Sequence, residues 1–155
     1  MTTISEIHEI IDYPIIGVIP SGSRIICSPA PTDTDEDWLV RVAHGDIQSV
    51  CDSLLSQGFE FAGSMIGSEQ KVSLTLDFWS FMRGTLNLII TTNINFFSKF
   101  HLATKICTTM NVLSKRDRVM IFEALIHGTY VDMDLQIEQS EIKLGMELEA
   151  GSGDK

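Results

Sequence analysis

The sequence predicts an α/β or α+β domain in which a small sheet carries helices packed against it. Three observations lead there. Asp46 to Gln57 repeats apolar residues at the helical period, and Glu36 to Val42 and Val72 to Asp77 alternate at the strand period. The two periods then succeed one another as helix, strand, strand, helix, two or more strands and two helices. At 155 residues the chain suffices for one hydrophobic core and leaves little for a second.

Thr3 to Asp12 reads as a helix. Ile4, Ile7, Ile10 and Ile11 share a face, Thr3 and Glu6 form a capping box, and Pro14 ends the run. Ile15 to Ile19 is a short apolar strand that runs into a turn at Pro20-Ser21-Gly22-Ser23. Two prolines make Ser28 to Thr34 a loop. In the strand Glu36 to Val42, Trp38 and Val40 face one way, and Asp37 and Leu39 face the other together with Asp35. The helix Asp46 to Gln57 places Ile47, Val50, Cys51, Leu54 and Leu55 on one stripe, with Asp46 as N-cap and Gly58 just past the end. Val72 to Asp77 and Thr85 to Thr92 read as strands, the second entered through a turn at Arg83-Gly84. Phe96 to Met110 returns to the helical period. Ser114 with Asp117 opens a last helix, which closes at Gly128 after His127.

Composition narrows the function. The chain is 44% hydrophobic and 21% charged, as in a soluble globular protein. Eleven basic residues stand against 21 acids, a net charge of −10, which argues against a general DNA or anionic-membrane binder. Cys27, Cys51 and Cys107 are odd in number and form no CxxC pair, so neither a disulfide framework nor a zinc site is expected. The start lacks the order of a signal peptide and no apolar run reaches membrane-spanning length, so a cytoplasmic location is expected. Charge is unevenly spread. Residues 131–155 hold seven acids and two lysines and read as an acidic C-terminal tail beyond a domain at 1–130, with the last residues disordered. Lys99, Lys105, Lys115, Arg116 and Arg118 form a local basic stretch, read either as a solvated helix face or as a patch facing phosphate.

The chemistry concentrates between Gly22 and Val40. A Gly-Ser turn can aim several backbone N–H groups at a phosphate. Eleven residues separate Ser23 from Asp35, and the strand period puts Asp35 and Asp37 on one face. Two carboxylates so close repel unless a cation lies between them. Mg²⁺ suits oxygen ligands shared between carboxylates and substrate phosphates. Asp33 and Asp35 also make a DxD, but only the pair Asp35/Asp37 runs directly into Trp38-Leu39-Val40.

This combination, VIPSGSRIICSPAPTDTDEDWLV, resembles the nucleotidyltransferase superfamily of polymerase-β-like fold, with its hG[GS] and Dh[DE]h signature. The order GSRIICSP, GTLNLIITTN and SKRDRVMIFEALIHG is most similar to small nucleotidyltransferase-like proteins of bacteriophages, which would place the chain in host cytoplasm. The resemblance implies an α+β fold with a small mixed sheet flanked by helices and with helices at the C-terminal end. It further implies Gly22, Ser23 and Arg24 at a nucleoside triphosphate, Mg²⁺ (or Mn²⁺) on Asp35 and Asp37, and transfer of a nucleoside monophosphate to a hydroxyl of RNA, protein or a small molecule.

One position departs from the family. Where a third acid is expected on the strand at 85–92 the chain has Asn87, whose amide cannot act as a base near neutral pH. Asp77 is the candidate substitute. The alternatives are a silent nucleotide-binding or interaction module of the same fold, and a homo-oligomer or partner chain that supplies the acid. Arg41 and Arg83 are further candidates to clamp phosphate. His8, His44, His101 and His127 show no metal-ligand spacing, Cys27 reads as a packed thiol, and Trp38, Phe96, Phe97, Phe100 and Phe122 read as core.

Overall fold

Alternating apolar residues in the two central strands give both faces of the sheet something to bury, and helices cover each side. The structure, a computed structural model, describes residues 1–31, 34–63 and 78–128. The elements run α1 (Ile4–Ile10), β1 (Ile15–Ser21), α2 (Ser23–Ile26), β2 (Glu36–Val42), a 3₁₀ turn (His44–Asp46), α3 (Ile47–Ser56), β3 (Glu60–Gly63), β4 (Trp79–Arg83), β5 (Leu86–Thr91), α4 (Ile94–Thr109) and α5 (Lys115–His127). The strand order is β1-β2-β5-β4-β3. β2 and β5 are parallel and the other neighbours antiparallel, so this is an α+β domain with a five-stranded mixed sheet, as expected.

The side-chain period of two assigns the core residues. Trp38, Val40 and Val42 of β2 and Leu88 and Ile90 of β5 face α1 and α3, where Ile7, Ile11, Val50 and Leu54 complete one cluster. Leu39 and Ile89, one residue out of phase, face the other way and pack with Ile26 of α2, Phe96, Phe100, Ala103 and Cys107 of α4, and Phe122 and Ile126 of α5. Burial on both faces explains why the middle of each parallel strand, Trp38-Leu39-Val40 in β2 and Leu88-Ile89-Ile90 in β5, is a continuous apolar run. Among the described residues no helix is long and apolar enough to cross a membrane.

The helix signals hold with one exception. Thr3 Oγ1 accepts from the Glu6 N–H while Glu6 Oε1 accepts from the Thr3 N–H, closing the expected capping box. Ser114 Oγ accepts from the Asp117 N–H, and Gly128 ends α5 in the left-handed region. Gly58, with φ of +92°, follows the C-cap of α3 as expected. The exception is Asp46, which occupies the N-cap position of α3 without a capping hydrogen bond, because a 3₁₀ turn already delivers the chain into the helix.

Three short elements go beyond the sequence reading. The Gly22-Ser23 turn continues into one turn of helix, α2. Strands β3 and β4 join the sheet next to β5, with β4 pairing through the Gly84 turn. The predicted strand Val72 to Asp77, and with it Asp77, lies outside the described residues, as does the acidic tail.

Candidate functional site

Register decides which polar side chains meet. Asp37 stands between Ser21 of β1 on one side and Asn87 of β5 on the other, and Asn87 in turn pairs with Met82 of β4. Ser21, Asp37 and Asn87 thus form a row across three neighbouring strands. The Asn87 Nδ2 donates to Asp37 Oδ1 at 2.9 Å, and the Ser80 hydroxyl donates to Asn87 Oδ1 at 2.6 Å. Ser21 is buried and shares a 2.9 Å hydrogen bond with Thr104, which fixes the end of β1 to α4.

The turn after β1 fits against this row. Gly22 has φ of +79° and ψ of −175°, a region essentially closed to residues with a Cβ. A Cβ there would also lie 2.0 Å from Asp37 Oδ2 and 2.9 Å from its Cγ. Only glycine lets the chain turn and leaves room for the Asp37 carboxylate. Ser23 Oγ donates to Thr34 Oγ1 at 3.3 Å, and the Arg24 guanidinium donates to the Thr34 carbonyl from Nε at 2.9 Å. Arg24 therefore ties the short helix to the loop that carries Asp35.

All of this opens on a cavity of about 500 Å³. Gly22, Ser23, Asp35, Asp37, Ser80 and Asn87 line it, as do Lys115 and Arg118 at the start of α5, whereas Arg24 is not among its lining residues. Burial pushes the Asp37 carboxyl above the usual range; the Asn87 hydrogen bond opposes that shift and the negative charge of Asp35 adds to it. A carboxylate in this state gains from a nearby cation. The donors are oxygens, two carboxylates with an amide beside them, which suits a hard divalent ion that keeps waters or takes substrate phosphates as its remaining ligands. Among the described residues no three His, Cys, Asp or Glu side chains gather into a metal site.

The structure sorts the remaining candidates. Arg41 pairs with Gly17 and Thr91, four residues along β2 from Asp37 and roughly 13 Å away at the strand rise. Arg83 donates to the Gln57 carbonyl and lies 4.4 Å over the Phe59 ring, so it is engaged with the chain beyond α3. Neither belongs to the site. Lys99 and Lys105 are exposed on α4, whereas Lys115 and Arg118 reach the cavity, so the basic stretch divides between solvent and site. Cys27 is half-buried against the second core cluster and receives an Arg118 N–H at 3.3 Å. Trp38, Phe96, Phe100 and Phe122 are buried as expected; Phe97 is half-buried and packs on Gly17. Ser80 and Phe78 were not foreseen, because only the pairing of β4 with β5 brings them to the cavity.

No family model matches the chain. No curated protein matches it either. Among solved structures it is similar to the conserved protein GrpB from Enterococcus faecalis, with 17% identity, 80% of this chain and 88% of that chain covered, and a TM-score of 0.44. At that identity and superposition the likeness carries no conclusion about chemistry.

Proposed function

We propose that the chain is a metal-dependent nucleotidyltransferase that moves a nucleoside monophosphate from a nucleoside triphosphate to an acceptor hydroxyl. The observation that supports this reading is the row Ser21–Asp37–Asn87, set against the Gly22-Ser23 turn on one cavity. In this reading the backbone N–H groups at Gly22 and Ser23 bind the β- and γ-phosphates, and Asp35 and Asp37 hold Mg²⁺ or Mn²⁺. The ion supplies charge neutralisation at the attacking and leaving oxygens. Arg24 acts through Thr34, positioning the loop that carries Asp35. The acceptor oxygen bonds to the α-phosphorus, the bond from that phosphorus to its bridging oxygen breaks, and pyrophosphate leaves with the electron pair. The acceptor's proton passes to water, because the Asn87 amide cannot take it.

A second reading, nucleotide binding without transfer, is favoured by the Asn87 amide that donates to Asp37 where an acid is expected. One experiment separates the two. The protein is incubated with α-labelled nucleoside triphosphates, Mg²⁺ and pooled acceptors (RNA, protein, hydroxylated small molecules), beside the variant Asp35→Ala/Asp37→Ala. Label transfer by the wild type and its loss in the variant supports the transferase. Metal-dependent binding without transfer, with activity gained in Asn87→Asp, supports the silent module. Unchanged binding in the double variant sinks both.

A further inference from the structure

The cavity beside Asp37 has two unlike halves. One is polar and acidic, formed by the strand ends and the Gly22-Ser23 turn. The other is apolar, walled by Ile89 of β5, Phe78 at the start of β4, Phe100 of α4, and Val119 and Phe122 of α5. Its rings are held in place by other rings. Phe78 stacks on Phe96 with centroids 5.2 Å apart and an interplanar angle of 15°, and Phe122 meets Phe100 edge-on at 4.9 Å and 78°. The wall is therefore preformed. Helix α5 also brings Lys115 and Arg118 to the lining, and Arg118 Nη1 is fixed on the Val112 and Leu113 carbonyls.

Phe78, Ile89, Phe100 and Phe122 belong to the second core cluster and also line the cavity, so a ligand held at Asp37 meets apolar surface beside it. A volume of about 500 Å³ lies inside the roughly 300–1,000 Å³ span of sites that enclose a small molecule. We propose that this half is a base-binding subsite that selects purine nucleotides by stacking and contact area. The inference rests on the nucleotide reading above. The Ser80 hydroxyl borders this half opposite Ile89, but its proton is donated to Asn87 Oδ1, so selection falls to contact area. A purine simply covers more of it than a pyrimidine does, and every base has a face to stack.

The test uses the full chain, Mg²⁺ throughout, and five probes by calorimetry: ATP, GTP, CTP, UTP and inorganic tripolyphosphate. ATP and GTP are expected to bind alike and about tenfold or more tighter than tripolyphosphate, with CTP and UTP between. Val119→Trp, which fills the apolar half from a half-buried position, is expected to reduce ATP to the affinity of tripolyphosphate and leave tripolyphosphate unchanged. Phe122→Leu is measured beside it, because it removes the ring without adding bulk, and the same selective loss is expected. ATP binding no tighter than tripolyphosphate, CTP and UTP binding as tightly as ATP and GTP, or a variant that weakens both probes equally, overturns the purine subsite and leaves the phosphate and metal reading standing. Binding of none of the five probes defeats that reading, and the subsite with it.

Discussion

Gly22 and Asp37 constrain each other, and their variants give opposite signs. Gly22→Ala forces a Cβ into a backbone region that excludes it and into the Asp37 carboxylate, so it should cost about 1–3 kcal/mol in urea unfolding. Asp37→Asn should do the reverse. The folded chain holds the Asp37 proton more tightly than the unfolded chain, so the ionised form weakens the fold as pH rises through that raised value. An amide of the same shape removes this penalty, and the unliganded variant should melt above the wild type at pH 7. Glu36 behaves oppositely. Burial would raise its carboxyl, but hydrogen bonds from the Trp38 indole and from the Thr2 backbone and hydroxyl outweigh it and leave the value lowered. Its contribution is complete above the ordinary value of 4.5 and is lost as pH falls through the lower folded value. Glu36→Gln should therefore lower the melting temperature at pH 7, with the gap to wild type closing in acid.

At the level of elements, stability follows the caps that are actually made. Asn93 Oδ1 accepts from the N–H groups of Asn95 and Phe96, so Asn93→Ala should cost about 1 kcal/mol. Asp46 makes no such bond, and Asp46→Ala should cost only the few tenths that an acid gains at a helix start. Elements with strong periods were legible. Glu36 to Val42 matches β2 at both ends, and α5 begins and ends where Ser114 and Gly128 say. Helix α4 starts two residues before its predicted Phe96 because the Asn93 cap, and not the first phenylalanine, sets its beginning. The four-residue helix α2 is too short to show a period, and β3 has only exposed or half-buried residues, so no apolar alternation announces it. In β4 the alternation Trp79, Phe81 against Ser80, Met82 was present, and the short run beside a longer apparent strand concealed it.

For the whole molecule, the parallel pairing of β2 with β5 does most to create the site. The sequence pointed to Asp35 and Asp37 together; both line the cavity, although Asp35 precedes β2 and its place is set by the loop and not by strand phase. That Asn87 lies directly beside Asp37, that Ser80 backs it, and that α5 brings Lys115 and Arg118 to the same cavity depend on register and helix packing, which one sequence does not encode locally. The proposed cation-dependent nucleotide site is built on Asp37 and is open to direct test. Thermal unfolding of the wild type and Asp37→Asn is followed with each nucleoside triphosphate, with and without Mg²⁺. A ligand at a hundredfold its Kd adds about 2.7 kcal/mol, several degrees in a domain of this size. A Mg²⁺-dependent rise is expected in the wild type and none in Asp37→Asn. No rise with any nucleotide, or an equal rise in both proteins, would contradict the proposed site.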